Sequence, residues 1–252
     1  MMESENYIFG IRAIIEAVEA GKEIDKVFLK KDFEGELAGE LLGLLRANHI
    51  LVQRVPVERL NRITRKNHQG AVAIVSAISY ANLGNLVPEL YEEGRLPFVV
   101  ALDGITDVRN FGAIARTAEC CGVDAIVIPQ RGSVSVGADA VKTSAGALHY
   151  LPVCREKNLV SAINFLRNSG FRIVAVSEKA DVNYTQVDYT EPTVLVMGAE
   201  DIGISPEVMR LCDTHVSIPM FGHIESLNVS VASAVIMYEV VRQRLDANME
   251  VI

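Results

Sequence analysis

Apolar residues recur at two different periods along the chain. In residues 10–20, GIRAIIEAVEA, Ile11, Ile14, Ile15 and Val18 fall three and four apart, which predicts an amphipathic helix ended by Gly21. KVFLK at 26–30 predicts a short strand. Leu37, Leu41, Leu44 and Leu45 line one side of a helix over about 35–47. ILVQRV at 50–55 reads as a strand, 57–63 as a short helix and AVAIVSAI at 71–78 as a further strand. Alternating helices and strands make a compact α/β unit of about 75 residues. The pattern loosens at 79–97, SYANLGNLVPELYEEGRLP, where Asn, Gly, two prolines and acids predict a linker holding a short helix. Domains are therefore expected at 1–78 and 98–252, joined by 79–97.

A second α/β pattern begins at Phe98. FVVALD is a buried strand, followed by a helix over about 111–121 and a strand at 125–129. Further helices are predicted at 158–169 and 206–212, and strands at 171–177, 193–198 and 215–219. A long helix over about 226–245 closes the pattern. Unalternating runs of Val, Ile and Leu suit a parallel sheet covered on both faces. Residues 229–241, VSVASAVIMYEVV, are apolar almost all round, as in a helix buried on every side. A subunit interface and the chain's own sheet are the two candidates for what buries it.

Composition narrows the class. The 252 residues are half hydrophobic, enough for a full core and against disorder. No apolar run reaches the ~18–20 residues of a membrane span, and the first residues lack a signal-peptide pattern. Cys120, Cys121, Cys154 and Cys212 show no paired spacing, so they read as reduced thiols of a cytoplasmic protein. With so few Cys and His, no metal site is expected. The net charge of −8 by itself disfavours a nucleic-acid partner. Yet residues 54–68, RVPVERLNRITRKNH, set Arg54, Arg59, Arg62, Arg65 and Lys66 against one acid, Glu58. That local basic stretch is either a solvated helix face or an RNA surface.

Open α/β sheets bind ligands beyond the carboxyl ends of their strands, and three such places carry polar residues. In LDGITDVRNFGAIARTA a strand ends at Asp103 and a helix starts near Asn110, which can cap that helix or contact a ligand. Arg116 follows two turns later. In VMGAEDIGISP a strand runs into a glycine turn holding Glu200, and Ile204 stands where a phosphate-binding loop needs Lys, so a nucleoside triphosphatase is excluded. Glu200 is either functional or a partner for a buried backbone amide. In IPMFGHIESLNVSVA a loop leads to Ser226 and Asn228 at the start of the last helix. No GxGxxG follows a strand, which removes a dinucleotide-dependent oxidoreductase.

In order and spacing, NFGAIARTA, MGAEDIGIS and IPMFGHIESLNVSVA together resemble the three motifs of the SpoU (TrmH) family of RNA 2′-O-methyltransferases, over residues 97–245. GIRAIIEAV and NHQGAVA at 67–73 are similar to the L30e-like substrate-binding domain of one branch, the RlmB type, which methylates a guanosine ribose of 23S rRNA. The resemblance implies a trefoil-knotted parallel α/β (SPOUT) domain, S-adenosyl-L-methionine (AdoMet) as methyl donor, no metal, a homodimer, and RNA, 23S rRNA above all, as partner. It implies catalytic roles for Asn110, Arg116, Glu200, Ser226 and Asn228, with the backbone around Gly198, Ile218 and Leu227 holding AdoMet. Arg116 matches the arginine proposed to activate the 2′-hydroxyl. A guanidinium is a poor base, so binding the adjacent phosphate and stabilising the alkoxide suits it better. Two other readings stay open: methylation of tRNA or another rRNA nucleotide, and an RNA-binding protein that does no chemistry.

Overall fold

The computed structural model describes residues 7–249, which divide into two compact units. One holds the chain up to Ser79 together with Ser135–Asp139; the other holds Tyr80–Val134 and the chain from Ala140 onward.

The first unit runs β1 (Tyr7–Phe9), α1 (Ile11–Glu19), β2 (Ile24–Lys30), α2 (Glu36–Ala47), β3 (Val52–Val55), α3 (Val57–Ile63) and β4 (Ala71–Val75). Its sheet has the order β1-β4-β2-β3, with β4 antiparallel to β1 and β2 and β3 parallel to β2. Period-two alternation sends Val27 and Leu29 of β2 into one core, with Ile14, Val18, Leu41 and Leu45 of α1 and α2. Phe28 points the other way, into a smaller cluster with Val55, Leu60 and Val72 under α3. Sequence periodicity did not reveal β1, which at three residues is too short to show a period. Nor did it reveal the contribution of 135–139. Asp25, 1% exposed, accepts from the Val136 amide at 2.8 Å, and Ala77 donates to the Val136 carbonyl at 2.7 Å.

The second unit continues with α4 (Leu83–Glu92), β5 (Phe98–Asp103), α5 (Val108–Cys120), β6 (Ala125–Pro129), α6 (Ala138–Thr143), β7 (Val153–Glu156) and α7 (Leu159–Asn168). It ends with β8 (Arg172–Val176), β9 (Val182–Asn183), β10 (Thr193–Gly198), α8 (Pro206–Met209), β11 (Thr214–Ser217) and α9 (Val229–Met249). Seven strands form one all-parallel sheet in the order β7-β6-β5-β10-β8-β11-β9. The expected parallel α/β class is thus observed. β7 and β9 escaped sequence reading because they are four and two residues long at or near the sheet edges. Helix α4 fills much of the stretch read as a linker and sends Leu83, Val87 and Leu90 inward.

The register bears on the site. Gly198 lies opposite Asp103, Ala101 opposite Val127, and Pro129 opposite Glu156. Hence β10, β5, β6 and β7 end level at their carboxyl termini, and the loops that leave them start from one edge. Among the described residues no helix is long and apolar enough to cross a membrane. The four cysteines are free, and burial pushes the Cys154 and Cys212 thiols up to about 12, which keeps them protonated.

Candidate active site

A cavity of about 350 Å³ opens beyond the carboxyl ends of β8, β10 and β11. Three peptide segments shape it. The first follows β10: Gly203 donates to the Ala199 carbonyl at 2.8 Å, closing a tight turn with Gly203 at φ 69°. A Cβ added to Gly198 would fall 2.2 Å from the Gly203 carbonyl carbon, so only glycine lets the turn fold back so closely. Asp103, at the end of β5, accepts from the Ser205 amide at 2.7 Å and fixes the far side of that turn.

The second segment opens α5. Its cap is Asp107, which accepts from the amides of Arg109 at 2.7 Å and Asn110 at 2.9 Å. These backbone bonds hold the Asp107 carboxyl below its ordinary pKa. This corrects the expectation that the helix starts near Asn110. Asn110 lies in its first turn, and its side chain, not used as the cap, faces the other segments. The local signal was an Asp directly before the helical run.

The third segment is the loop 218–228 before α9. That helix starts at Val229, and Asn228 caps it by accepting from the Ser230 amide at 3.0 Å. Ser226 therefore lies in the loop and not on the helix, contrary to the sequence reading.

These segments bring three predicted residues into one hydrogen-bonded cluster. Asn110 donates to Glu200 Oε1 at 3.2 Å, Asn228 Nδ2 donates to Asn110 Oδ1 at 3.1 Å and also to Glu200 Oε1, and the Val229 amide reaches the same oxygen at 3.3 Å. Glu200 Oε1 thus gathers two side-chain amides and one backbone amide, while Oε2 stays open. The backbone-amide alternative for Glu200 is true but covers only one of three bonds. Glu200, Ser226 and Asn228 line the cavity, as do Gly198, Ile218 and Leu227. Arg116 is not brought into this set. It lies six residues beyond Asn110 on α5, exposed and with no side-chain hydrogen bond or ion pair among the described residues. Asp103 and Asp107, which sequence reasoning did not single out as site residues, hold the backbone of two of the three segments. Among the described residues no group of His, Cys, Asp and Glu could hold a metal.

A level parallel edge, a ligand-sized cavity beyond it and a polar cluster drawn from three distant segments define a ligand-binding α/β protein with its site at the carboxyl ends of the strands. The chain belongs to the SpoU rRNA methylase family, which residues 97–238 match. Residues 7–81 match the family described as RNA 2′-O ribose methyltransferase substrate binding. A protein of Staphylococcus saprophyticus described as a TrmH family tRNA/rRNA methyltransferase is 36% identical over 240 residues, covering 95% of this chain and 96% of that one. The AdoMet-bound rRNA methyltransferase of Sinorhizobium meliloti superposes with a TM-score of 0.60 at 27% identity, covering 94% of this chain and 87% of that one. The SpoU methyltransferase AviRb of Streptomyces viridochromogenes, in complex with AdoMet, gives 0.60 at 28% identity, covering 95% and 90%. The TrmH/SpoU tRNA-modifying enzyme of A. aeolicus gives 0.54 at 34% identity but covers only 66% of this chain and 86% of that one.

Proposed function

We propose that this chain transfers the methyl group of AdoMet to a ribose 2′-oxygen of RNA, the target being a guanosine of 23S rRNA. The observation that carries the chemistry is the Asn110–Glu200–Asn228 cluster at a cavity of AdoMet's size class. The lining suits the donor. Met197, Ile204, Ile218 and Leu227 offer apolar surface for a purine, and the chain around Gly198 and Ile218 offers backbone groups. Glu178 and Glu200 face the same space and suit a ligand that carries a sulfonium and an ammonium.

Bound AdoMet would supply an electrophilic methyl and leave as the thioether; the chain's own residues hold a ribose oxygen in line with it and stabilise the developing alkoxide while the hydroxyl proton passes to solvent. Asn110 and Asn228 position the ribose and its phosphate. Glu200 locks both amides, and Ser226 offers a hydroxyl at the cavity wall. Arg116, unpaired on α5, is available to a backbone phosphate, where its charge lowers the cost of the developing alkoxide. Arg116→Ala should abolish transfer with AdoMet affinity nearly unchanged; full turnover would remove Arg116 from catalysis.

Coverage supports the rRNA reading. The rRNA enzyme of S. meliloti matches nearly the whole chain, whereas the tRNA-modifying enzyme matches two thirds of it. Residues 7–81 then act as the RNA-holding domain. Helix α9 supports a homodimer: Ile236, Met237 and Val240 are buried in the chain's own core, while Val231, Tyr238 and Leu245 are exposed at 48%, 54% and 58%. The test is transfer from labelled AdoMet to unmodified 23S rRNA and to unmodified tRNA, with the product nucleoside mapped. Label in a 2′-O-methylguanosine of 23S rRNA is the expected result. Label in tRNA overturns the substrate and keeps the chemistry. No label and no AdoMet binding would leave a non-catalytic RNA-binding protein.

A further inference from the structure

The level carboxyl edge of the seven-stranded sheet is divided electrostatically at the site. On one side the β5–α5 connection with the first turn of α5 (104–109) and the loops after β6 and β7 (130–134 and 157–158) carry three cations, Arg109, Arg131 and Lys157, against one acid, Asp107, with Asp103 and Glu156 closing β5 and β7 at the same edge. On the other, the loops after β10, β8 and β11 (199–203, 177–181 and 218–226) carry one cation, Lys179, against five acids: Glu178, Asp181, Glu200, Asp201 and Glu225. Strand order makes this a spatial division, because β7-β6-β5 lie together on one flank and β10-β8-β11 on the other. Of these acids Asp107 caps α5, Asp103 accepts from the Ser205 amide, and Glu156 is half-buried. Arg109, Arg131 and Lys157 are all exposed, and none makes a side-chain hydrogen bond or ion pair among the described residues, although, after the backbone bonds, the charge of Arg109 helps lower the pKa of Asp107. Adjacent strands are about 4.8 Å apart, so the three loops reach across about 10 Å of edge and lead to the Asn110–Glu200 contact at the β5/β10 boundary.

We propose that the substrate RNA enters over the β5–β6–β7 half of this edge, its successive phosphates met by Arg109, Arg131 and Lys157. The acidic half is left to the cationic methyl donor. This rests on the function proposed above and specifies the RNA path at the same site. A polyanion cannot lie across five carboxylates without paying their repulsion, while the cavity they flank takes a ligand of opposite sign. The protein's net charge of −8 makes the local sign decisive, because no general positive field is present to bind RNA.

The test measures binding of an unmodified 23S rRNA transcript to the full chain at several salt concentrations, for wild type and for the variants Arg131→Gln, Lys157→Gln and Lys179→Gln. AdoMet affinity is measured in parallel by calorimetry. Arg131→Gln and Lys157→Gln should each weaken RNA binding several-fold and lower the slope of log affinity against log salt by about 1, with AdoMet affinity unchanged. Lys179→Gln should leave the slope as it is. Unchanged slopes for Arg131→Gln and Lys157→Gln, or a lowered slope for Lys179→Gln, would overturn the path. Binding and chemistry fail separately. If wild type binds RNA with the expected slopes but transfers no methyl, the path stands and the activity falls; if it transfers methyl and the slopes do not respond, the path falls alone.

Discussion

Glu200 illustrates how one side chain can organise a site at little cost to the fold. Three N–H groups converge on one of its oxygens, but the neighbouring side chains are open to water, which can replace a lost acceptor. Glu200→Gln should therefore change thermal stability by less than about 1 kcal/mol. It should still lower methyl transfer at least tenfold by loosening Asn110 and Asn228; equal loss of stability and activity would instead make Glu200 a folding residue. Asp107 predicts a pH response. Its carboxyl titrates lower in the folded chain than unfolded, so its capping contribution is fully present above the unfolded value of about 4 and is lost as pH falls through the folded value. Asp107→Asn keeps a capping oxygen and removes the titration, so the acid limb of a melting-temperature profile should flatten in that variant. At this scale motif order and spacing pointed to Asn110, Glu200 and Asn228, which the fold brings together, whereas Arg116 stays outside their cluster. The true cap was not legible. Asn110 and Asp107 are both good caps three residues apart, and only the backbone decides between them. His68 was uninformative in sequence and proves structural: nine-tenths buried, it accepts from the Gly70 amide and lies 2.9 Å from Asn61 Oδ1.

At the scale of elements, long periodic segments were read well and short ones poorly. Helices α1, α2 and α5 and strands β5, β6 and β10 fall within a few residues of expectation because each buries a face long enough to show its period. Strands β7 and β9, too short for that, are held by their neighbours in the sheet. Helix α9 was read as apolar all round, and the fold separates its faces. Ile236, Met237 and Val240 pack inward, and the exposed Val231, Tyr238 and Leu245 lie seven residues apart on the other side. In the proposed homodimer, Tyr238→Glu should shift the protein toward monomer in sedimentation while leaving its circular dichroism unchanged. A variant that stays dimeric would move the interface off α9. Gly198→Ala should be far more damaging than its one carbon suggests, because the Cβ would meet the Gly203 backbone and the turn must open. Loss of AdoMet binding in a folded protein is the expected outcome.

For the molecule as a whole, a net charge of −8 coexists with a match to an RNA substrate-binding domain over residues 7–81, so the sum of charges alone was misleading. The first unit exposes Arg59, Arg62, Arg65 and Lys66 around α3, with Arg59 stacked 4.9 Å from the centre of the Phe28 ring and Lys66 5.1 Å from that of Phe9. Reversing Arg62, Arg65 and Lys66 together should weaken RNA binding and flatten its salt dependence; unchanged affinity would move the contact elsewhere. The return of 135–139 to the first unit was invisible in sequence. Nothing periodic marks five residues whose role is to supply the amide and carbonyl of Val136 to Asp25 and Ala77.

The cluster at the cavity joins residues 90 and 118 positions apart: Asn110 to Glu200, and Asn110 to Asn228. The site is therefore assembled only when the segment before α9 returns to the β5 and β10 ends of the sheet, so a change that loosens this return should scatter the three side chains while leaving each strand intact.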